Sequence, residues 1–267
     1  MSPHQSTSKL SVLTADQLLN RKFPERDWLL TGLIKERQMM MLYAPTGVGK
    51  SWFAWSMACA IAGRGKFHSY ENTCPKRALY LDGEMDGEDA QERLKVCAQA
   101  TGADSTLLGE HLLYLPRQLQ SYTSDFPDLN DVDWQTRVIE FAKKQAVEVI
   151  VMDNFSTLAE IEDENSAAAF NGVTAFLLRM KQAGIAGVLV HHSNKADSGY
   201  RGSQKLSVTF DLIVALRRPE NAEGSGCAFD VIIEKARSRV DTLPVQLILG
   251  DFGWTEGESE VLMAKAV

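Results

Sequence analysis

What this chain of 267 residues lacks narrows it first. Its four cysteines, Cys59, Cys74, Cys97 and Cys227, are scattered. None stands at the spacing of a zinc site or a disulfide framework, a pattern that argues for a reducing cytoplasm. No apolar run approaches the ~20 residues of a membrane-spanning helix, so no membrane contact is expected. The stretch Met1 to Lys9 is polar and lacks the apolar core of a signal peptide. Residues 1–13 are expected to form a disordered tail. An excess of positive charge is missing too: 28 Lys and Arg face 35 Asp and Glu, for a net charge of −7. A protein that coats nucleic acid over its whole surface is usually basic. Any such contact here must be local, or shared among subunits around a channel. Linkers, repeats and low-complexity tracts are absent, so residues 14–267 are expected to form a single domain. The hydrophobic share of 45% and charged share of 24% are those of an ordinary globular protein.

What is present is concentrated at residues 44–51, Ala-Pro-Thr-Gly-Val-Gly-Lys-Ser. An apolar run precedes it (Met39-Met40-Met41-Leu42-Tyr43) and an apolar, helix-like run follows (Trp52-Phe53-Ala54-Trp55-Ser56-Met57-Ala58). Strand, glycine-rich loop, Gly-Lys-Ser and helix is the order a phosphate-binding loop requires. Backbone N–H groups cradle the phosphates, and the helix N-terminus adds partial positive charge. The expected nucleotide contacts are Pro45, Thr46, Gly47, Val48, Gly49, Lys50, Ser51 and Trp52. Lys50 would reach the β- and γ-phosphates, and Ser51 would place its hydroxyl on Mg²⁺. One departure is Ala44 where the pattern has glycine. It matters only if that position needs φ > 0.

The rest of the chain alternates. Strands are expected at 39–43, 78–82, 112–115, 147–152, 187–191 and 209–216. Helices are expected at 50–62, 87–100, 132–145 and 166–182, with a short capped helix near 14–19. Several strands are continuous apolar runs, as parallel strands buried on both faces should be. The fold class is therefore α/β: a doubly wound, mostly parallel sheet with helices on both faces. Residues 228–235 and 243–249 add an antiparallel C-terminal extension. The polar stretch 116–131 is a long loop, of the kind that is often functional.

Strand ends supply the chemistry, because ligands of such sheets bind at the carboxyl ends of strands. Val149-Ile150-Val151-Met152-Asp153 ends in an acid that would hold Mg²⁺ through water beside Ser51. Leu79-Tyr80-Leu81-Asp82-Gly83-Glu84 offers two carboxylates. Asp82 still belongs to the strand, so Glu84, past its end, is assigned as the base that polarises the attacking water. Val188-Leu189-Val190-His191-His192-Ser193 ends in two histidines, of which His192 is favoured as γ-phosphate sensor because it lies nearer the loop. That loop carries Lys195, Tyr200 and Arg201, which would touch DNA or reach a neighbour's nucleotide. Lys235 and Arg237 alternate onto one side of a strand and would reach a γ-phosphate in trans.

This order of motifs resembles the RecA-like P-loop ATPases. It is most similar to the plasmid RepA-type hexameric helicases and AAA-family ATPases of mobile elements. The resemblance spans about residues 14–250, including the leader Trp28-Leu29-Leu30-Thr31-Gly32-Leu33-Ile34. Its more specific part is His191-His192-Ser193-Asn194-Lys195 followed by Arg201-Gly202-Ser203. It implies ATP with Mg²⁺, a homo-oligomeric ring and single-stranded DNA in the channel. It also implies an arginine finger at Arg201 and a trans-acting pair at Lys235 and Arg237. Two alternatives keep the P-loop. One is a recombination or loading factor on DNA, and the other a nucleotide-gated switch with little turnover. A small-molecule kinase is disfavoured, since no acceptor lid is evident beyond the 116–131 loop.

Overall fold

The computed structural model describes residues 10–122, 126, 128–159, 170–194, 199–200, 207–219, 227–238, 245–250 and 253–257. The chain enters through α1 (Ala15–Asn20), whose N-cap Thr14 forms a capping box with Gln17. A hairpin of β1 (Trp28–Leu30) and β2 (Ile34–Lys35) follows. The core begins with β3 (Met39–Ala44) and α2 (Lys50–Ala62). A small hairpin, β4 (Lys66–Phe67) and β5 (Tyr70–Glu71), leads to β6 (Ala78–Asp82). Next come α3 (Gly87–Thr101), α4 (Ser105–His111) and β7 (Leu112–Pro116). Then follow α5 (Val132–Lys144), β8 (Val149–Asp153), α6 (Phe155–Leu158), α7 (Asn171–Gln182) and β9 (Ala186–His192). The last elements are β10 (Leu212–Arg217), β11 (Cys227–Ala236), β12 (Val245–Gly250) and β13 (Gly253–Gly257).

Among the described residues, nine strands form one sheet in the order β13-β12-β11-β10-β3-β9-β8-β6-β7. From β10 to β7 every neighbouring pair is parallel, and β11, β12 and β13 add on antiparallel. This is the doubly wound, mostly parallel sheet with an antiparallel C-terminal extension that the alternation implies. Period-2 alternation divides the core. Met40, Leu42 and Ala44 of β3 face one apolar cluster, with α2, while Met39, Met41 and Tyr43 face the other, with α7. The P-loop helix α2 is apolar nearly all round, so it must be covered on nearly all sides. Part of that cover comes from β13, whose Trp254 Nε1 donates to Ser56 Oγ at 2.9 Å.

The topology separates β3 from β8 by one strand, β9. It thereby lines up four carboxyl ends. Ala44 pairs with His192, and Asp82 pairs with Asp153.

Differences from expectation have local causes. Strand β10 starts at Leu212 rather than 209, because Asp211 turns its side chain back to accept from Met39 N at 3.0 Å. Strand β8 starts at Val149, after Ala146 takes a φ of 53°. Helix α4 and strand β13 carry too little periodicity to be expected, yet Asp104 caps α4 by accepting from Thr106 N and Leu107 N. The expected start of the helix at 166 and the tail at 1–9 lie outside the described residues. So do Lys195 and Arg201. Residues 10–13 are exposed and without regular structure.

Asp211 is nearly buried and joins three elements: it accepts from Met39 N, from Lys181 Nζ at 2.7 Å, and faces Arg237 at 3.6 Å. Asp211→Ala strands the buried Met39 N–H, which costs about 1–3 kcal/mol. Urea unfolding should show that loss, and Asp211→Asn, which keeps an acceptor, should lose less.

Candidate nucleotide site

The loop after β3 closes tightly because Gly47 and Gly49 take φ of 80° and 122°. A Cβ on Gly49 would sit 2.6 Å from Cys227 Sγ and 2.9 Å from Phe229, so only glycine fits. Ala44 ends β3 without a positive φ, and its departure from glycine carries no strain. The cleft above the loop encloses about 700 Å³. Thr46, Gly47, Val48, Gly49, Lys50 and Ser51 line it, as does Trp52. Lys50 folds back and donates from Nζ to the carbonyls of Ala44 (3.1 Å) and Pro45 (3.0 Å). Burial lowers its pKa, and the nearby Asp153 and Glu84 oppose that shift.

Asp153 is buried and lies at the same edge. Its carboxylate accepts from the Ser51 hydroxyl and from Tyr80 OH at 2.6 Å. Burial raises its pKa; those two hydrogen bonds, and to a lesser degree Lys50, pull it back. Ser51 and Asp153, 102 positions apart in sequence, are thus brought into contact. Hard oxygen donors of this kind suit Mg²⁺. No group of three His, Cys, Asp or Glu among the described residues could hold an ion alone. Mg²⁺ in phosphate sites needs only one or two carboxylates beside the phosphates, so the donor set fits it.

The two carboxylates after β6 differ in what they touch. Asp82 Oδ1 accepts from Glu84 N and Met85 N, both at 2.9 Å, and Oδ2 accepts from Tyr114 OH at 3.0 Å. It is buried and committed to shaping the turn. Glu84 is exposed at the cleft, and its Oε2 accepts from Asn154 Nδ2 at 2.7 Å. Gly83 allows this turn, since a Cβ there would meet Thr157 Oγ1 at 2.2 Å. The two histidines also part. His191 is fully buried, with its ring 4.6 Å from that of Phe155. His192 lines the cleft, its Nδ1 3.5 Å from Thr46 Oγ1.

Lys235 and Arg237 are not at this cleft. Antiparallel β11 puts its first residues, Cys227 and Ala228, at the cleft and its last at the opposite end of the sheet. There Lys235 Nζ donates to Ser207 O at 2.7 Å, and Arg237 donates to Val208 O. Tyr200 is half-buried, edge-on to Tyr43 with ring centroids 5.7 Å apart. Tyr122, in the long loop, is fully exposed.

Tyr80, Tyr114, Asn154 and Arg93 are among the lining or supporting residues that the sequence did not single out. Tyr80 and Tyr114 lie within apolar strand runs and carry no signal of their own. Asn154 follows Asp153 directly. Arg93 lies 4.5 Å over the Trp52 ring and lines the cleft. Its only signal was a place one turn beyond Asp89 on α3, the same face of the helix.

Residues 4–198, well over half of the chain, match the family described as an AAA domain. No curated protein matches the sequence. Among solved structures, a KaiC-like protein of the hyperthermophilic archaeon Pyrococcus horikoshii is similar, with a TM-score of 0.60. The likeness covers 86% of this chain and 94% of that one at 14% identity, and it shows a shared RecA-like fold.

Gly49→Ala should abolish nucleotide binding although Lys50 and Ser51 remain, because both the φ and the contact with Cys227 forbid a side chain. Gly47→Ala, with nothing within 4 Å of its Cβ, should be milder. Titration with a fluorescent ATP analogue would rank the two.

Proposed function

Because the chain belongs to the AAA domain family and has the fold of a RecA-like P-loop ATPase, we propose that it hydrolyses ATP with Mg²⁺ as a ring-forming, single-stranded-DNA-dependent motor. Its role is that of a replicative helicase of a plasmid, phage or other mobile element. The observation that carries hydrolysis is the difference between Asp82 and Glu84. Asp82 is saturated by three donors, while Glu84 is held at the cleft by one side chain. A nucleotide switch without turnover has no use for such a carboxylate.

In this reading Lys50 leaves the carbonyls of Ala44 and Pro45 for the β- and γ-phosphates. Ser51 and Asp153 hold Mg²⁺, which supplies charge neutralisation on the phosphate oxygens. Glu84 accepts a proton from the attacking water after parting from Asn154, and His192 hydrogen-bonds the γ-phosphate. Lys235 and Arg237 stand at the far end of β11, away from the cleft of their own subunit, and in this reading they serve a neighbour's nucleotide. Arg201, outside the described residues, is the third trans candidate. For single-stranded DNA, stacking aromatics with cations are the usual contact. Tyr200 packs on Tyr43, so exposed Tyr122 is the better platform.

Lys50→Ala should lose ATP binding. Glu84→Gln should bind ATP but turn over about 10²–10⁴-fold more slowly. Normal turnover in Glu84→Gln would place the base elsewhere.

Arg201→Ala, Lys235→Ala or Arg237→Ala protein should bind ATP yet be inactive, an arginine finger being worth about 10³–10⁵ in rate. Mixing with Lys50→Ala protein should restore activity, because a mixed interface pairs an intact pocket with an intact finger. Full activity of a monomer would sink the ring. Strand displacement, measured beside ATP turnover with and without single-stranded DNA, tests the motor itself. Turnover stimulated by DNA without displacement would favour a loading or recombination factor. No affinity for single-stranded DNA at low salt would remove both.

A further inference from the structure

Asp82 and Asp153 are direct register partners on β6 and β8, both buried at the same sheet edge. Each is gripped by a tyrosine hydroxyl: Asp153 Oδ2 by Tyr80 at 2.6 Å, Asp82 Oδ2 by Tyr114 at 3.0 Å. The Tyr80 side chain is fully buried and stacks on Trp55, with centroids 4.1 Å apart and planes 16° from parallel. Trp55 also touches Tyr114 at 5.3 Å. Trp55 stands four residues after Ser51 on α2, on the same helix face. The P-loop helix therefore holds Asp153 twice, directly through the Ser51 hydroxyl and indirectly through the ring that carries Tyr80.

A phenylalanine would fill the Tyr80 site and keep the stack. What only tyrosine adds is a proton donor at one oxygen of Asp153. Together with the Ser51 hydroxyl, that bond fixes the rotation of the carboxylate at the cleft that Asp153 lines. We propose that Tyr80 is a positioning residue for the Mg²⁺ site, with Trp55 as its platform. It sets the orientation in which Asp153 meets the ion. This rests on the reading above, that Asp153 and Ser51 hold Mg²⁺. Partners of metal ligands typically change metal affinity about 10–100-fold when removed. Because Tyr80→Phe removes one of two donors and keeps the Ser51 hydroxyl, the lower end, about 10-fold, is expected.

The test is Mg²⁺ titration of full-length protein bound to a fluorescent, non-hydrolysable ATP analogue, beside analogue affinity in EDTA. Tyr80→Phe should raise the half-saturating Mg²⁺ about 10-fold and leave affinity in EDTA unchanged. Tyr114→Phe removes an equivalent hydroxyl from the other carboxylate and should leave the Mg²⁺ response where it was. In an Asp153→Asn background, Tyr80→Phe should add nothing. A wild-type Mg²⁺ titration for Tyr80→Phe overturns the proposal. So does an equal shift in Tyr114→Phe, or a loss of affinity in EDTA that accounts for the whole effect, since either would mark a packing role. Should Asp153→Asn itself titrate like wild type, the metal assignment fails, and the positioning role fails with it.

Discussion

The structure turns on holding two carboxylates side by side in a dry place. Asp82 and Asp153 face each other across β6 and β8 at the edge of a buried sheet. An uncompensated buried charge is costly, so each must be matched with donors. The match is asymmetric, and that asymmetry shapes the site. Asp82 takes two backbone N–H groups from the turn after its strand, and so bends the chain to bring Glu84 to the cleft. Asp153 takes side-chain donors from Tyr80 and Ser51, with Lys50 nearby. Carboxylates still outnumber cations there: Asp82, Glu84, Asp86, Asp89 and Asp153 line the cleft beside Lys50, Arg93 and Arg218. A polyphosphate alone would meet that excess of negative charge. Arriving with a divalent cation it brings its own compensation, because the ion is the largest local charge in such a site.

Much of this arrangement was legible because strong periodicity and strong motifs need no tertiary information. Continuous apolar runs marked the parallel strands, and α2 begins and ends where the P-loop pattern and Gly63 place it. The leader from Trp28 to Ile34, which the resemblance marked, makes up nearly all of the β1–β2 hairpin. What stayed hidden was pairing across strands. Nothing in Leu79-Tyr80-Leu81 says that the tyrosine points at an acid on another strand 73 positions away. The choice between His191 and His192 was open for a related reason. Adjacent strand residues face opposite sides, so one must be in the core, but which one depends on the register of β9 against β3. The same holds for Asp82 and Glu84. Position relative to the strand end favoured Glu84, yet the three donors that occupy Asp82 appear only in the folded chain.

The antiparallel extension makes physical sense as part of the site rather than as an appendage. Its first strand, β11, starts hard against the P-loop, where Cys227 and Phe229 leave no room for a side chain on Gly49. Burial among these groups pushes the Cys227 thiol up to about 12, so it packs there as a neutral wall. Eight residues later the same strand delivers Lys235, at the opposite end of the sheet. At ~3.3 Å per residue, that is a separation of about 26 Å along one continuous, hydrogen-bonded strand. Both flanks of β11 are tied down, by β10 on one side and β12 on the other. One end of β11 lies at the nucleotide cleft, and the other carries Lys235 and Arg237. Lys235 and Arg237 both lean on the carbonyls of the 207–208 segment just before β10, the strand beside the P-loop strand β3. The pair is therefore braced against the same sheet that holds the phosphates.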